Sequence, residues 1–387
     1  MDVWQDMARS LAEREAAGML RRLREVESAC GPRIRIEGRE VVCLSSNDYL
    51  GLAGDERVRS AAAEAVREWG LGAGASRLLS GTTSLHVQLE RELAAFKGAE
   101  AALVTPTGWM ANHCAVHALA GRGDLVLADK LSHASILDAA GACGATLRTY
   151  PHGDLRRLAS LLEKHRAAHR RCLLATDSLF SMDGDLAALG ELCDLKDRYE
   201  ALLLIDEAHA TGVLGECGRG AAELLGVEGR IDATVGTLSK AIGALGGFVA
   251  GRRELIDTNV NAGRAFIFTT APPAVICAGA LAALRIIRDE PQRRGRLLSL
   301  ADTLRTRLRD AGLSTGASVS QIIPILVGDA AAAVRLSERL LHEGFFVPAI
   351  RPPSVPRGSS RLRVSLRCDH EEADLARLAD TLRKPRG

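Results

Sequence analysis

The sequence predicts an α/β fold in which a large, mostly parallel seven-stranded sheet domain is followed by a smaller α+β C-terminal domain. Three observations carry this reading. From about residue 100 to residue 250, seven short aliphatic runs alternate with amphipathic stretches, as in a parallel sheet covered by helices. Each run is mostly apolar on both faces, which marks a strand buried from both sides. With three Trp, three Tyr and seven Phe against 38 Gly, the core must be built from aliphatic side chains that let helices approach a sheet closely.

The elements follow in order. A helix is expected over 2–28, where LAEREAAGMLRRLREV keeps helical spacing, and then a hairpin in RIRIEGREVVCL turning at Glu37-Gly38. The seven runs are 101–105, 125–128, 146–150, 172–176, 201–205, 234–237 and 247–250. A helix over 274–288 stops before Pro291, and a second helix covers 292–311. Beyond it come a strand at 322–327, a helix at 330–343, strands at 345–350 and 361–366, and a final helix. The expected domains are an N-terminal arm (1–45), a large α/β domain (46–288) and a small α+β domain (289–387).

Composition excludes several functions. Fifty Lys+Arg against 48 Asp+Glu leave a formal charge of +2, so no bulk field draws the chain to nucleic acid or a membrane surface. Nine scattered cysteines, never spaced as CxxC, indicate neither a disulfide framework nor a zinc ribbon. The N-terminal residues lack an apolar signal core, and no run of about eighteen apolar residues occurs. A cytoplasmic protein acting on small molecules, without a metal, is expected.

In open parallel sheets ligands bind beyond the carboxyl ends of the strands, so the residues there hold the chemistry. After 101–105 the turn Pro106-Thr107-Gly108-Trp109 opens a helix whose free N–H groups and dipole suit a phosphate. After 125–128, His133 follows a cap-like Ser132 and is placed to lie over a flat ligand. After 172–176 comes the polar loop DSLFSMDGD. In LLLIDEAHATG, Asp206 directly follows four aliphatic residues, with His209 three positions on; a carboxylate there requires a cation or hydrogen-bond donors. Lys240, one of only six lysines, is the only charge in ATVGTLSKAIGALGGFVAG. An amine in such an apolar stretch is a candidate nucleophile for a carbonyl. Together, acid, amine, phosphate cradle and imidazole match the needs of pyridoxal phosphate: a Schiff-base lysine, a carboxylate for the ring nitrogen and a helix N-terminus for the phosphate.

The motifs NDYLGL, SRLLSG, TGWMAN, DKLSHAS, SMDGD, DEAHATG and TLSK, read in this order, resemble the α-oxoamine synthases among the fold-type I pyridoxal-phosphate enzymes. The resemblance runs from Arg21 to about residue 380 and implies a fold-type I transferase. It implies that Lys240 carries the cofactor, Asp206 faces its ring nitrogen and His133 stacks on the ring. His209 and Ser181 would hold the phenolic oxygen. Gly108, Trp109 and Thr237 would hold the phosphate, with Thr269 or Thr270 from a partner subunit, hence a homodimer with shared active sites. Asn47 and Arg363 would take the amino-acid carboxylate, while Arg21 and Ser354 would lie near the acyl chain. AIRPPSVPRGSSRLRVSL and IIPILVGD are most similar to the branch that joins L-alanine to a pimeloyl thioester on CoA or a carrier protein. The branch using glycine and acetyl-CoA is the alternative. Two departures stand near the acyl site: Ser354 replaces the usual Thr, and Trp109 the usual Phe or Tyr.

Competing readings fail on context. GLGAGAS lacks the last glycine of a dinucleotide-binding loop and follows a helical stretch instead of a strand. His113/His117 and His165/His169 have helical i, i+4 spacing but not the glutamate of an HExxH metal site. A non-catalytic cofactor-binding protein on the same fold is opposed by the intact lysine, aspartate and arginine.

Overall fold

The computed structural model describes residues 2–383. The chain divides into two compact units. The terminal unit holds the residues up to Asn47, Met182–Asp185, and the residues from Arg296 onward; the sheet unit holds Asp48–Ser181 and Leu186–Gly295.

Among the described residues the strands are, in chain order, β1 (Arg33–Ile36), β2 (Arg39–Cys43), β3 (Ala101–Thr105), β4 (Leu125–Asp129), β5 (Thr146–Tyr150), β6 (Cys172–Asp177), β7 (Leu202–Asp206), β8 (Ala233–Thr237), β9 (Gly247–Gly251), β10 (Ile322–Gly328), β11 (Phe345–Phe346), β12 (Ala349–Ile350) and β13 (Ser360–Ser365).

In the sheet unit the order is β3-β9-β8-β7-β6-β4-β5. The strands β5, β4, β6, β7 and β8 pair in parallel, while β9 runs antiparallel to both β8 and β3. This is the seven-stranded, mostly parallel sheet the aliphatic runs predicted. Leu125 to Ala128 of β4 and Leu203 to Ile205 of β7 are wholly inaccessible, as strands covered on both faces should be. Small side chains let the covering helix Gly108–Leu119 approach, since its Ala111, Cys114, Ala115 and Val116 are buried in the same cluster as Val126, Leu204 and Val235. Helix Ala274–Asp289 packs on helix Glu56–Trp69.

In the terminal unit β1 and β2 form the expected hairpin, with Glu37 and Gly38 both at positive φ (52° and 69°) as a two-residue turn requires. Two elements differ from expectation. The first helix is Val3–Ala16 and not 2–28. Gly18, at φ 64°, ends it: Gly18 N–H donates to Glu15 O and Met19 N–H to Arg14 O, the two bonds of a Schellman cap. The strand expected over 345–350 is split, because Pro348 has no N–H to continue a ladder. Phe345–Phe346 extends the hairpin sheet as β1-β2-β11, and Ala349–Ile350 joins β10-β13-β12. Residues 182–185 belong to this unit through Gly184 O, which accepts from Val319 N and Ser320 Oγ, and through an Arg361–Asp183 ion pair.

Candidate active site at the strand ends

Parallel pairing brings the carboxyl ends of β4, β6, β7 and β8 to one edge of the sheet, and the polar residues of the sheet unit gather there. Asp206 ends β7 and is 5% exposed. Its Oδ1 accepts from Ala208 N (2.8 Å) and its Oδ2 from Asn112 Nδ2 (2.7 Å). Hydrogen bonds to a charged group are worth about 1.5–3 kcal/mol each, so these two offset much of the several kcal/mol that burying a carboxylate costs. Asp177 lies opposite Asp206 in the β6–β7 register and accepts from His133 N (2.7 Å). Burial, reinforced by the neighbouring Asp206, pushes the Asp177 carboxyl well above the ordinary range.

His133 is itself the N-cap of helix Ala134–Ala142, its Nδ1 accepting from Ser135 N (3.3 Å); the cap assigned to Ser132 is one residue early. Trp109 meets the His133 ring edge-on, with centroids 6.1 Å apart. Desolvation of the imidazole, and after it the Lys240 charge, lower the His133 pKa against the opposing pull of Asp206. His209, buried, pairs through Nδ1 with the Tyr49 hydroxyl (2.6 Å). Lys240 stands, half-buried, in the 238–246 turn joining β8 to β9. That turn closes on the NDYLGL loop at Gly243 (φ 72°), where a Cβ would lie 2.3 Å from Ala53 N, so no larger residue fits.

The start of helix Gly108–Leu119 presents backbone donors. Thr107 caps it, its Oγ1 accepting from Met110 N (3.2 Å) and its carbonyl from Ala111 N (3.1 Å). The Gly108 and Trp109 N–H groups have no partner among the described residues, which leaves two donors at the positive end of the helix dipole. Backbone packs on backbone here: a Cβ on Gly247 would lie 2.6 Å from both Gly108 Cα and Thr107 O. Thr237 Oγ1 lies beside Gly108 and donates to Gly246 O (2.8 Å). The donors, the carboxylate at Asp206 and the amine of Lys240 are the set pyridoxal phosphate requires, so the residues present fit that group.

Not every expected site residue joins this cluster. Thr270 bridges to Ser76, and among the described residues neither Thr269 nor Thr270 hydrogen-bonds to the cradle. Ser181 is the last sheet-unit residue before the 182–185 segment. In the terminal unit, Arg363 is 6% exposed on β13, and its two terminal nitrogens donate to Asn47 Oδ1 (3.3 Å each). Arg361, Arg363 and Ser365 form a buried face and not a solvated one. Arg21 donates to Pro352 O (3.1 Å) and Arg351 donates back to Leu20 O (2.6 Å), which brings Arg21 to the Arg-Pro-Pro segment that precedes Ser354.

Two polar residues were missed as individuals. Tyr49 and Asn112 lie inside quoted motifs, but what they touch depends on contacts at long sequence separation, to His209 and Asp206, which no local pattern announces.

A profile of the aminotransferase class I and II family matches residues 39–382. An 8-amino-7-oxononanoate synthase of Geobacter sulfurreducens is 49% identical over 374 residues, covering 96% of this chain and 95% of that protein. Among solved structures, a serine palmitoyltransferase with its pyridoxal-phosphate internal aldimine superposes with TM-score 0.94 at 31% identity, over 99% of this chain and 98% of that one. An 8-amino-7-oxononanoate synthase from Francisella tularensis superposes with TM-score 0.77 at 26% identity, over 89% and 97%.

Proposed function

The chain belongs to the aminotransferase class I and II family, with the fold-type I pyridoxal-phosphate transferase architecture, and on that premise we propose that it is a decarboxylating acyltransferase. L-Alanine and a pimeloyl thioester, on CoA or a carrier protein, would give 8-amino-7-oxononanoate, free thiol and CO2, as in biotin synthesis. The observation that carries the reading is the gathering of Asp206, His133 and the Gly108–Trp109 donors at the sheet edge where Lys240 follows β8. Near-full-length similarity to proteins named for this reaction supports it.

When bound, pyridoxal phosphate supplies an electron sink for the bond broken at the amino acid's α-carbon. In this reading Gly108, Trp109 and Thr237 hold the phosphate, Ser181 and His209 the phenolic oxygen, and Asp206 the ring N–H. Lys240 would hold the group at its aldehyde carbon and, as a free amine, would take the α-proton on Nζ. Arg363, with Asn47 fixing its fork, binds the substrate carboxylate, and its planar double donor suits that group better than a lysine would. His133 would lie over the ring and would present a donor to the thioester or keto oxygen. Arg21 and Ser354 flank the acyl chain. Thr269 or Thr270 completes the partner's cradle in a homodimer. Nine cysteines outside any disulfide suit a reducing cytoplasm, and no described helix is long and apolar enough to cross a membrane.

Release of free CoA thiol tests the reading, with CO2 from carboxyl-labelled amino acid as the separate mark of decarboxylation. L-Alanine with pimeloyl-CoA is expected to exceed glycine with acetyl-CoA; the reverse order would assign the chain to the glycine-using branch, and no release with any pair would remove the enzymatic reading.

A further inference from the structure

A continuous hydrogen-bonded chain joins the aspartate at the end of β7 to the imidazole at the end of β4. Asn112 Nδ2 donates one hydrogen to Asp206 Oδ2 (2.7 Å) and the other to Ser135 Oγ (2.8 Å); Ser135 Oγ lies 2.7 Å from His133 Nδ1. Asn112 and Ser135 are 1% and 0% exposed, so water does not compete for these groups.

The direction of each bond follows from donor counting. An ionised carboxylate only accepts, so the amide must turn its nitrogen toward Asp206. A reversed amide would set two acceptor oxygens 2.7 Å apart and lose both donated bonds. Asn112 Oδ1 is buried without a partner among the described residues. Leaving such an acceptor unpaired costs about 1–3 kcal/mol, the lesser penalty. Ser135 Oγ, already accepting from Asn112, has one hydrogen to give, and the partner in reach is His133 Nδ1. The backbone N–H of Ser135 points to the same nitrogen from 3.3 Å. With two donors aimed at it, Nδ1 must be the unprotonated nitrogen.

We propose that Asn112 and Ser135 are positioning residues that orient the Asp206 carboxylate and hold His133 as a neutral imidazole with its proton on Nε2. His133 is then a hydrogen-bond donor at Nε2 and has no free lone pair there, so it assists an oxygen that gains negative charge and does not remove the α-proton. Asp206, Lys240 and Asp138 also act electrostatically on this histidine, Asp177 accepts from its backbone N–H, and the Trp109 ring meets it edge-on. The consequence for the reaction rests on the cofactor reading above; the tautomer does not.

The test is nitrogen NMR of the full-length chain labelled with 15N-histidine and loaded with pyridoxal phosphate, His133 being assigned by its loss in a His133→Gln variant. Near neutral pH, Nδ1 is expected at the shift of an unprotonated ring nitrogen and Nε2 at that of a protonated one. Asn112→Asp removes the donor and offers an acceptor, so Ser135 Oγ turns to it, Nδ1 keeps only the Ser135 N–H at 3.3 Å, and a share of Nδ1-protonated imidazole appears. Ser135→Ala cuts the chain and gives a mixed pattern even where the Asp variant does not fold. In the same variants kcat falls about a hundredfold, as on removal of one oriented donor, while KM for the amino acid changes little. A protonated Nδ1 in the wild type, or the wild-type pattern retained in both variants, overturns the proposal. Failure of the cofactor reading shows separately, as the absence of visible absorbance on adding pyridoxal phosphate.

Discussion

Tyr49 Oη lies 2.6 Å from His209 Nδ1, with Tyr49 wholly buried and His209 nearly so. A residue of the NDYLGL loop thereby sets the orientation of an imidazole at the far end of the DEAH segment, 160 positions away. Tyr49→Phe keeps the ring and removes one hydrogen bond worth about 0.5–1.5 kcal/mol. Affinity for pyridoxal phosphate, titrated into the apo-protein, is expected to fall by up to about tenfold. An unchanged affinity would separate His209 from cofactor binding.

The buried Arg363 fork predicts a graded loss. Arg363→Ala leaves a carboxylate without its cation, which costs roughly 3–5 kcal/mol, between about two and nearly four orders of magnitude in kcat/KM for the amino acid. Arg363→Lys keeps the charge but not the paired donors and should fall in between. Steady-state kinetics with varied L-alanine measures both. Equal rates for lysine and alanine variants would mean that the planar geometry is irrelevant.

Behind the site, Lys97 Nζ lies 2.6 Å from Glu207 Oε2 and 2.9 Å from Thr211 Oγ1, with both charged side chains almost inaccessible. Lys97→Met strands the Glu207 carboxylate next to Asp206 and is expected to destabilise the fold by about 3–5 kcal/mol in urea unfolding. Adding Glu207→Gln should recover part of the loss, since the uncompensated charge is then gone. A single variant as stable as wild type would show that the pair contributes nothing.

Acid sensitivity has a named source in the terminal unit. His370 donates from Nε2 to Cys43 O (3.0 Å) and accepts at Nδ1 from Arg367 N (3.0 Å), and burial lowers its pKa from 6.5 to about 4. Between these values the unfolded chain binds a proton that the folded chain does not, so stability rises with pH across the window and is lost as pH falls from about 6.5 toward 4. His370→Gln should flatten this limb of the unfolding free energy against pH. Asp55, held at about 2 by hydrogen bonds from Arg57, adds its own dependence only at lower pH, below its ordinary 3.8. An unaltered slope between 4 and 6.5 in the variant would assign the effect elsewhere.

Most of the sheet was legible because its inner strands are aliphatic runs too short for a helix and apolar on both faces, whereas the edge strand β5, with Thr146, Arg148 and Thr149 exposed, is not buried on both faces as expected. Asp206, at the end of its run, marks the edge where ligands bind in such sheets. Lys240 stood out by isolation in an apolar stretch. The end of the first helix was also present in the sequence, as Gly18, but charged residues with helical spacing continue past it and hid the stop. Other features are tertiary. Asn112 reads as one polar residue in a helix until that helix is laid against β7, and Ser135 as a helix-start serine until His133 folds back onto it. The buried state of Arg361 and Arg363 follows from their pairing with Asp183 and Asn47, brought to β13 from distant parts of the chain.

Borohydride treatment of the protein incubated with pyridoxal phosphate, followed by peptide mass mapping, tests the central assignment most directly. The added phosphopyridoxyl mass is expected on the peptide containing Lys240 and absent from a Lys240→Ala variant. Label on Lys97, Lys130 or another lysine, or none on Lys240, would contradict the account.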